Sequence, residues 1–133
     1  MSALFEQTTI NSMTLKNRFV RSATWEGMAT DEGSCTAQLI DLMTQLADGG
    51  VGLIISGHAY VSREGQAGPK QMGIYEDRLL PGLTQMASAV HARNGKIIVQ
   101  LAHAGCLAAT GLSGQPAIGP RSLKGKRPRF AGK

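Results

Sequence analysis

The sequence predicts an α/β fold in which parallel strands alternate with amphipathic helices. Two stretches carry apolar residues at helical spacing, short apolar runs stand between them, and glycine or asparagine marks most of the junctions. Composition agrees. Of the 133 residues 42% are hydrophobic, enough for one modest core, 17 are glycine and only 5% are aromatic. That mixture suits a fold with many tight turns better than an all-β sandwich.

The elements follow in order. Leu4 to Leu15 alternates weakly around Asn11-Ser12, which predicts a short hairpin with a polar turn. Asn17 to Ala23 is rich in β-formers and predicts a first strand, and the glycines, acids and threonine from Trp25 to Ser34 predict a loop. From Cys35 to Asp48, Leu39, Leu42, Met43, Leu46 and Ala47 recur at three and four, the apolar stripe of a helix. Ser34 or Thr36 supplies its N-cap, and Gly49-Gly50 ends it. Val51 to Gly57 is a nearly continuous apolar run, as expected of a strand buried on both faces. His58 to about Asp77 reads as a loop. The second helix carries Leu79, Leu80, Leu83, Met86, Ala87 and Val90 on one face, with Pro81 in its first turn and Asn94-Gly95 at its end. Lys96 to Leu101 is the third strand, and Ala102 to Lys133 shows no clear period.

Strands joined through helices pair in parallel by right-handed crossovers. Three such strands cannot close a sheet on themselves. A (β/α)8 barrel runs to roughly 250 residues. Of such a barrel, residues 1–133 would supply the hairpin and about three β/α units, an incomplete portion of a single domain, and the resemblance given below implies that this portion is the N-terminal one.

Several classes are disfavoured. The net charge of +5 lies largely in Lys124-Gly125-Lys126-Arg127-Pro128-Arg129 and Lys133, a solvated tail with no aromatic beyond Phe130 for bases to stack on. No nucleic-acid partner is expected. Cys35 and Cys106 have neither CxxC spacing nor a histidine pair beside them, so neither a metal site nor a disulfide framework follows. The start lacks a basic and an apolar signal region, and the run Val51 to Ile55 is far too short to span a bilayer. A cytoplasmic location and no membrane partner are expected.

In parallel α/β folds ligands gather at the C-terminal ends of strands, where loops are free to vary. Here those ends are Ser22-Ala23-Thr24-Trp25, Ser56-Gly57-His58 and Gln100-Leu101-Ala102-His103. Each pairs small residues with polar ones, a rim suited to a flat heterocycle. Gln100 at the end of an apolar strand needs partners for both its amide donor and its carbonyl. Either the edge of a ligand with alternating N–H and C=O groups or the backbone of a neighbouring loop would supply them. His103, beside a glycine turn, reads as a loop-holding residue, and His91 as a cation suited to a helix C-terminus. Glu26, Asp31 and Glu32 are loop acids with no second acid at glycosidase spacing.

Four stretches carry a resemblance. Leu4-Phe5-Glu6 with Met13 to Val20, Gly49-Gly50-Val51-Gly52-Leu53-Ile54-Ile55, Gln100-Leu101-Ala102-His103-Ala104-Gly105, and Gly119-Pro120-Arg121-Ser122 together resemble the old yellow enzyme family of flavin oxidoreductases. The resemblance implies a TIM barrel holding FMN at its strand ends, with NADH or NADPH as electron donor and an α,β-unsaturated small molecule as hydride acceptor. It implies that Ser22, Ala23, Thr24 and Trp25 lie along the flavin, that His58, just past the second strand, contacts it, and that Gln100 bonds its pyrimidine edge. It places no catalytic residue within this chain, since the substrate-holding histidines, the tyrosine proton donor and the phosphate-binding loops come later in the family. The fragment alone is therefore expected to be inactive, and its partner is the remainder of its barrel or a second copy. Ala23 replaces a common proline, Trp25 stands near a usual cysteine or threonine, and Cys106 replaces an arginine. Alternatives are a non-enzymatic half-barrel, a dihydrouridine synthase, and the iron–sulfur dienoyl-CoA reductase type.

Overall fold

A computed structural model describes residues 3–120. The basic tail and Arg121-Ser122 of the last resembling stretch lie outside the described residues.

The hairpin forms as the sequence predicts. Strands β1 (Thr8–Ile10) and β2 (Met13–Leu15) pair antiparallel with Ile10 opposite Met13, so Asn11-Ser12 is a two-residue turn. Asn11 sits at φ 49°, the left-handed conformation that asparagine tolerates better than most residues.

The main sheet has three parallel strands in the order β3 (Val20–Arg21), β4 (Leu53–Tyr60) and β5 (Ile97–Ala102). Helix α1 (Ala37–Asp48) links β3 to β4, and α2 (Leu80–His91) links β4 to β5. Thr36 caps α1, its hydroxyl accepting the Leu39 N–H at 3.2 Å while donating to the Met28 carbonyl at 2.5 Å. Gly50 at φ 87° turns the chain out of α1.

Both helices cover one face of the sheet. Leu39, Ile40, Met43 and Ala47 of α1 and Met86 and Val90 of α2 close over Ile54 and Ala59, with Ile97 and Val99 packed alongside. Alternation sends Ile98 and Gln100 to the opposite face, where both are exposed. One face is thus core and the other is open.

Three expectations need correction. The first strand is shorter than Asn17 to Ala23. Asn17 donates from its amide to the Gly50 carbonyl and accepts the Phe19 N–H, and beyond Arg21 the carbonyls of Ser22 and Thr24 serve local side chains. The second strand is longer, running to Tyr60, so His58 lies inside β4 and not in the loop after it. It continues because a bulge at Ser56-Gly57 absorbs a register shift between Ile55 and His58, and because Gly73 pairs with Tyr60. Finally, α3 (Thr110–Ser113), one turn long, lies in the stretch where no period was legible.

Candidate functional site

The C-terminal ends of β3, β4 and β5 share one end of the sheet, and the bulge in β4 decides what stands there. Ile55 pairs with Ile98, yet His58 and not Gly57 pairs with Gln100. The extra residue restores His58 to the face that carries Gln100, since a shift of one flips every side chain across the sheet. Ser56, fully buried, fills the broken ladder: its hydroxyl accepts the Gln100 N–H at 3.4 Å and donates to the Gly57 carbonyl at 2.9 Å.

The other flank of the bulge is held by an ion pair. Arg21 and Glu26 meet at 2.8 Å with side chains 16% and 5% exposed. Glu26 Oε1 also accepts the Gly57 N–H at 3.0 Å, and Arg21 donates to the Ile55 carbonyl at 2.9 Å and the Thr24 carbonyl at 3.2 Å. Glu26, legible in the sequence only as a loop acid, is therefore part of the strand-end scaffold. Nothing in its spacing marks it. The one clue is Gly57, whose missing side chain leaves the room its carboxylate occupies.

Trp25 and His58 are brought together, ring centroids 6.4 Å apart and planes at 76°. The indole lies across Gly68, where an added Cβ would come within 3.1 Å of it, and remains 50% exposed. The backbone of His58 is fixed from behind: buried Gln71 donates to its carbonyl at 3.1 Å and accepts the Ala67 N–H at 2.7 Å. Gln100 presents its side chain to the open face and makes no side-chain hydrogen bond among the described residues. Ser22, Ala23 and Thr24 follow β3 at the same end. Among the described residues no hydrogen bond or ring contact joins them to His58 or Gln100.

His103 Nδ1 accepts the Gly105 N–H at 2.9 Å, and its ring packs on Gly65, which is the loop-holding role its sequence context predicts. Beside the core, burial together with the charge of Glu26 pushes the Cys35 thiol up to about 11. No group of three or more His, Cys, Asp or Glu among the described residues is arranged to hold a metal. No helix among them is long and apolar enough to cross a membrane.

Chemically, the open end offers an amide with a donor and an acceptor, an imidazole, and an indole edge, all beside the apolar Ile98. This donor set fits the ring of a flavin, whose pyrimidine edge alternates N–H and C=O groups. A sequence profile of the NADH:flavin oxidoreductase / NADH oxidase family matches residues 3–125. The chain belongs to this family. The match agrees with the resemblance and with FMN and a nicotinamide donor as the cofactors it implies.

Among relatives of this family member, a metal reductase of Desulforamulus reducens is 39% identical over 127 residues, 95% of this chain and 19% of that protein. An NADH oxidase of Thermoanaerobacter brockii is 32% identical over 132 residues, 95% of this chain and 20% of that protein. The old yellow enzyme homologue of Zymomonas mobilis superposes with a TM-score of 0.86 at 28% identity, over 98% of this chain and 37% of its own. The chain thus spans about a fifth of these curated relatives and about a third of the solved barrel. Its hairpin, helices and three strands correspond to the first part of a TIM barrel.

Proposed function

We propose that this chain forms one wall of the FMN site in an NAD(P)H-dependent oxidoreductase that passes hydride to an activated alkene. The observation that carries this reading is the pairing of His58 with Gln100 at the open strand ends, with Trp25 against His58. Gln100 would hold the pyrimidine edge through both halves of its amide, a recognition that leaves neither partner unpaired. His58 and the Ser22–Trp25 segment would lie along the ring, their small neighbours allowing backbone to approach. Bound FMN would supply the hydride transfer between nicotinamide and substrate. The chain's own part is to bind, orient and polarise: donors at the pyrimidine edge favour negative charge there. Trp25, half-exposed beside His58, would narrow the substrate pocket and so shape which alkenes enter.

A second reading, the larger type in which further cofactor domains accompany the barrel, is supported by the length of the relatives. The chain covers 19% and 20% of the two curated relatives, against 37% of the Zymomonas barrel. Both readings share the FMN wall and differ in the final acceptor.

The test is made on the full-length protein that carries this chain. It should purify yellow, release FMN on denaturation, and oxidise NADH or NADPH with cyclohexenone well above a free-FMN blank. A colourless protein that takes up no added FMN would remove the reading. Nicotinamide oxidation indifferent to the alkene would remove the ene-reductase part alone.

A further inference from the structure

We infer that Glu26, locked by Arg21, is a positioning residue of the FMN site, acting through the β4 bulge on His58; this rests on the flavin reading above. The bulge is the only reason His58 rather than Gly57 faces the site beside Gln100, because β4 advances by three residues where β5 advances by two. A bulge left to itself has an unpaired amide and a backbone free to revert. Here the amide of Gly57 is bound by Glu26 Oε1 at 3.0 Å, and the carbonyl of Ile55, on the other side of the kink, by Arg21 at 2.9 Å. One ion pair therefore clamps both ends of the irregularity. Its position between β3 and β4, with Glu26 only 5% exposed, removes it from any contact with a ligand on the open face.

The arrangement explains why a charged pair is kept there. A buried ion pair contributes little net stability compared with apolar residues of similar volume. Its hydrogen bonds do have direction, and direction is what a bulge needs. Arg21 also takes the Thr24 carbonyl at 3.2 Å, so the same pair ties the segment leading to Trp25 to the strand that carries His58. The two sides of the Trp25–His58 contact are thus set by one device.

The experiment is a double-mutant cycle on the FMN-loaded full-length protein, crossing Arg21→Met/Glu26→Met with His58→Ala. The apolar pair is chosen because it fills the space without leaving an unpaired buried charge. Thermal midpoint, FMN dissociation constant and the position of the flavin absorption bands are read for each. We expect the apolar pair to keep the fold, to weaken FMN about ten-fold and to shift the bands. Adding His58→Ala to it should cost almost nothing more, because the histidine has already left its place. Full additivity of the two changes, or an apolar pair with unaltered FMN affinity and bands, would overturn the inference while the flavin reading stands. Should His58→Ala and Gln100→Leu each leave FMN affinity unchanged, the flavin reading falls and takes the inference with it. If the apolar pair does not fold, Glu26→Leu, which removes the acceptor of the Gly57 N–H and leaves Arg21 its bonds to the Ile55 and Thr24 carbonyls, enters the same cycle with the same two outcomes.

Discussion

The indole of Trp25 stands edge-on to the imidazole of His58, and the two rings come from segments 33 residues apart whose meeting depends on two glycines. Gly68 gives the indole its floor. Gly57, immediately before His58, gives the Glu26 carboxylate its room.

Gly57 should therefore resist even the smallest side chain. A Cβ there would fall 2.8 Å from the Thr24 carbonyl oxygen and run into the Glu26 carboxylate, so either the bulge or the ion pair must move. Gly57→Ala is expected to destabilise the protein by about 1–3 kcal/mol, the range for forcing extra volume into a packed site. Denaturant midpoints of the variant and the parent measure it. An unchanged midpoint would show that the bulge is soft.

Stability should also fall in alkali through Cys35. Its thiol ordinarily titrates at 9.0 and is held to about 11 in the fold, first by burial and then by the charge of Glu26. The folded state thus keeps a proton that the unfolded chain gives up. The stabilising contribution is whole below pH 9.0 and is lost as pH rises from 9.0 toward 11. Comparing Cys35→Ala with the parent across that window isolates it: the parent should lose stability more steeply. Alkylation of folded Cys35 near pH 8 should run about a hundred-fold slower than in denatured chain, since reactivity follows the thiolate.

Residues 1–133 expressed by themselves should self-associate. The sheet has two edges, β3 and β5, and the apolar side chains of Ile98 and Leu101 in β5 and of Leu107 and Leu112 beyond it are 43–62% exposed. A further apolar groove, lined by Leu83, Met86, Ile97 and Val99, runs between α2 and β5. Sedimentation of the isolated chain should show oligomers, and a monodisperse folded monomer of 14.0 kDa would contradict the expectation.

Much of this fold is legible because local signals agree with it. The stripes of α1 and α2, the Thr36 cap, Pro81 and the Asn11-Ser12 turn act within a few residues of themselves. The reach of β4 is not legible, because it depends on a bulge held by Ser56, Arg21 and Glu26 acting across strands. For the same reason His58 reads as a loop residue when it is a strand residue. Gln100 is legible as a strand-end amide, and the structure adds the partner beside it. The contact between Trp25 and His58 has no sequence signal, since it arises where two chain segments meet.

We propose Gln100 as the chain's own handle on the cofactor, and FMN titration of the full-length Gln100→Leu variant is the decisive measurement. Leucine keeps the volume of the side chain and removes both its donor and its acceptor. Leaving the groups of a buried ring unpaired costs about 1–3 kcal/mol, or roughly ten- to hundred-fold in affinity. The FMN dissociation constant should rise by that factor, with the thermal midpoint of the apoprotein unchanged, because the Gln100 side chain makes no hydrogen bond within the described residues. An FMN affinity equal to that of the parent would contradict it.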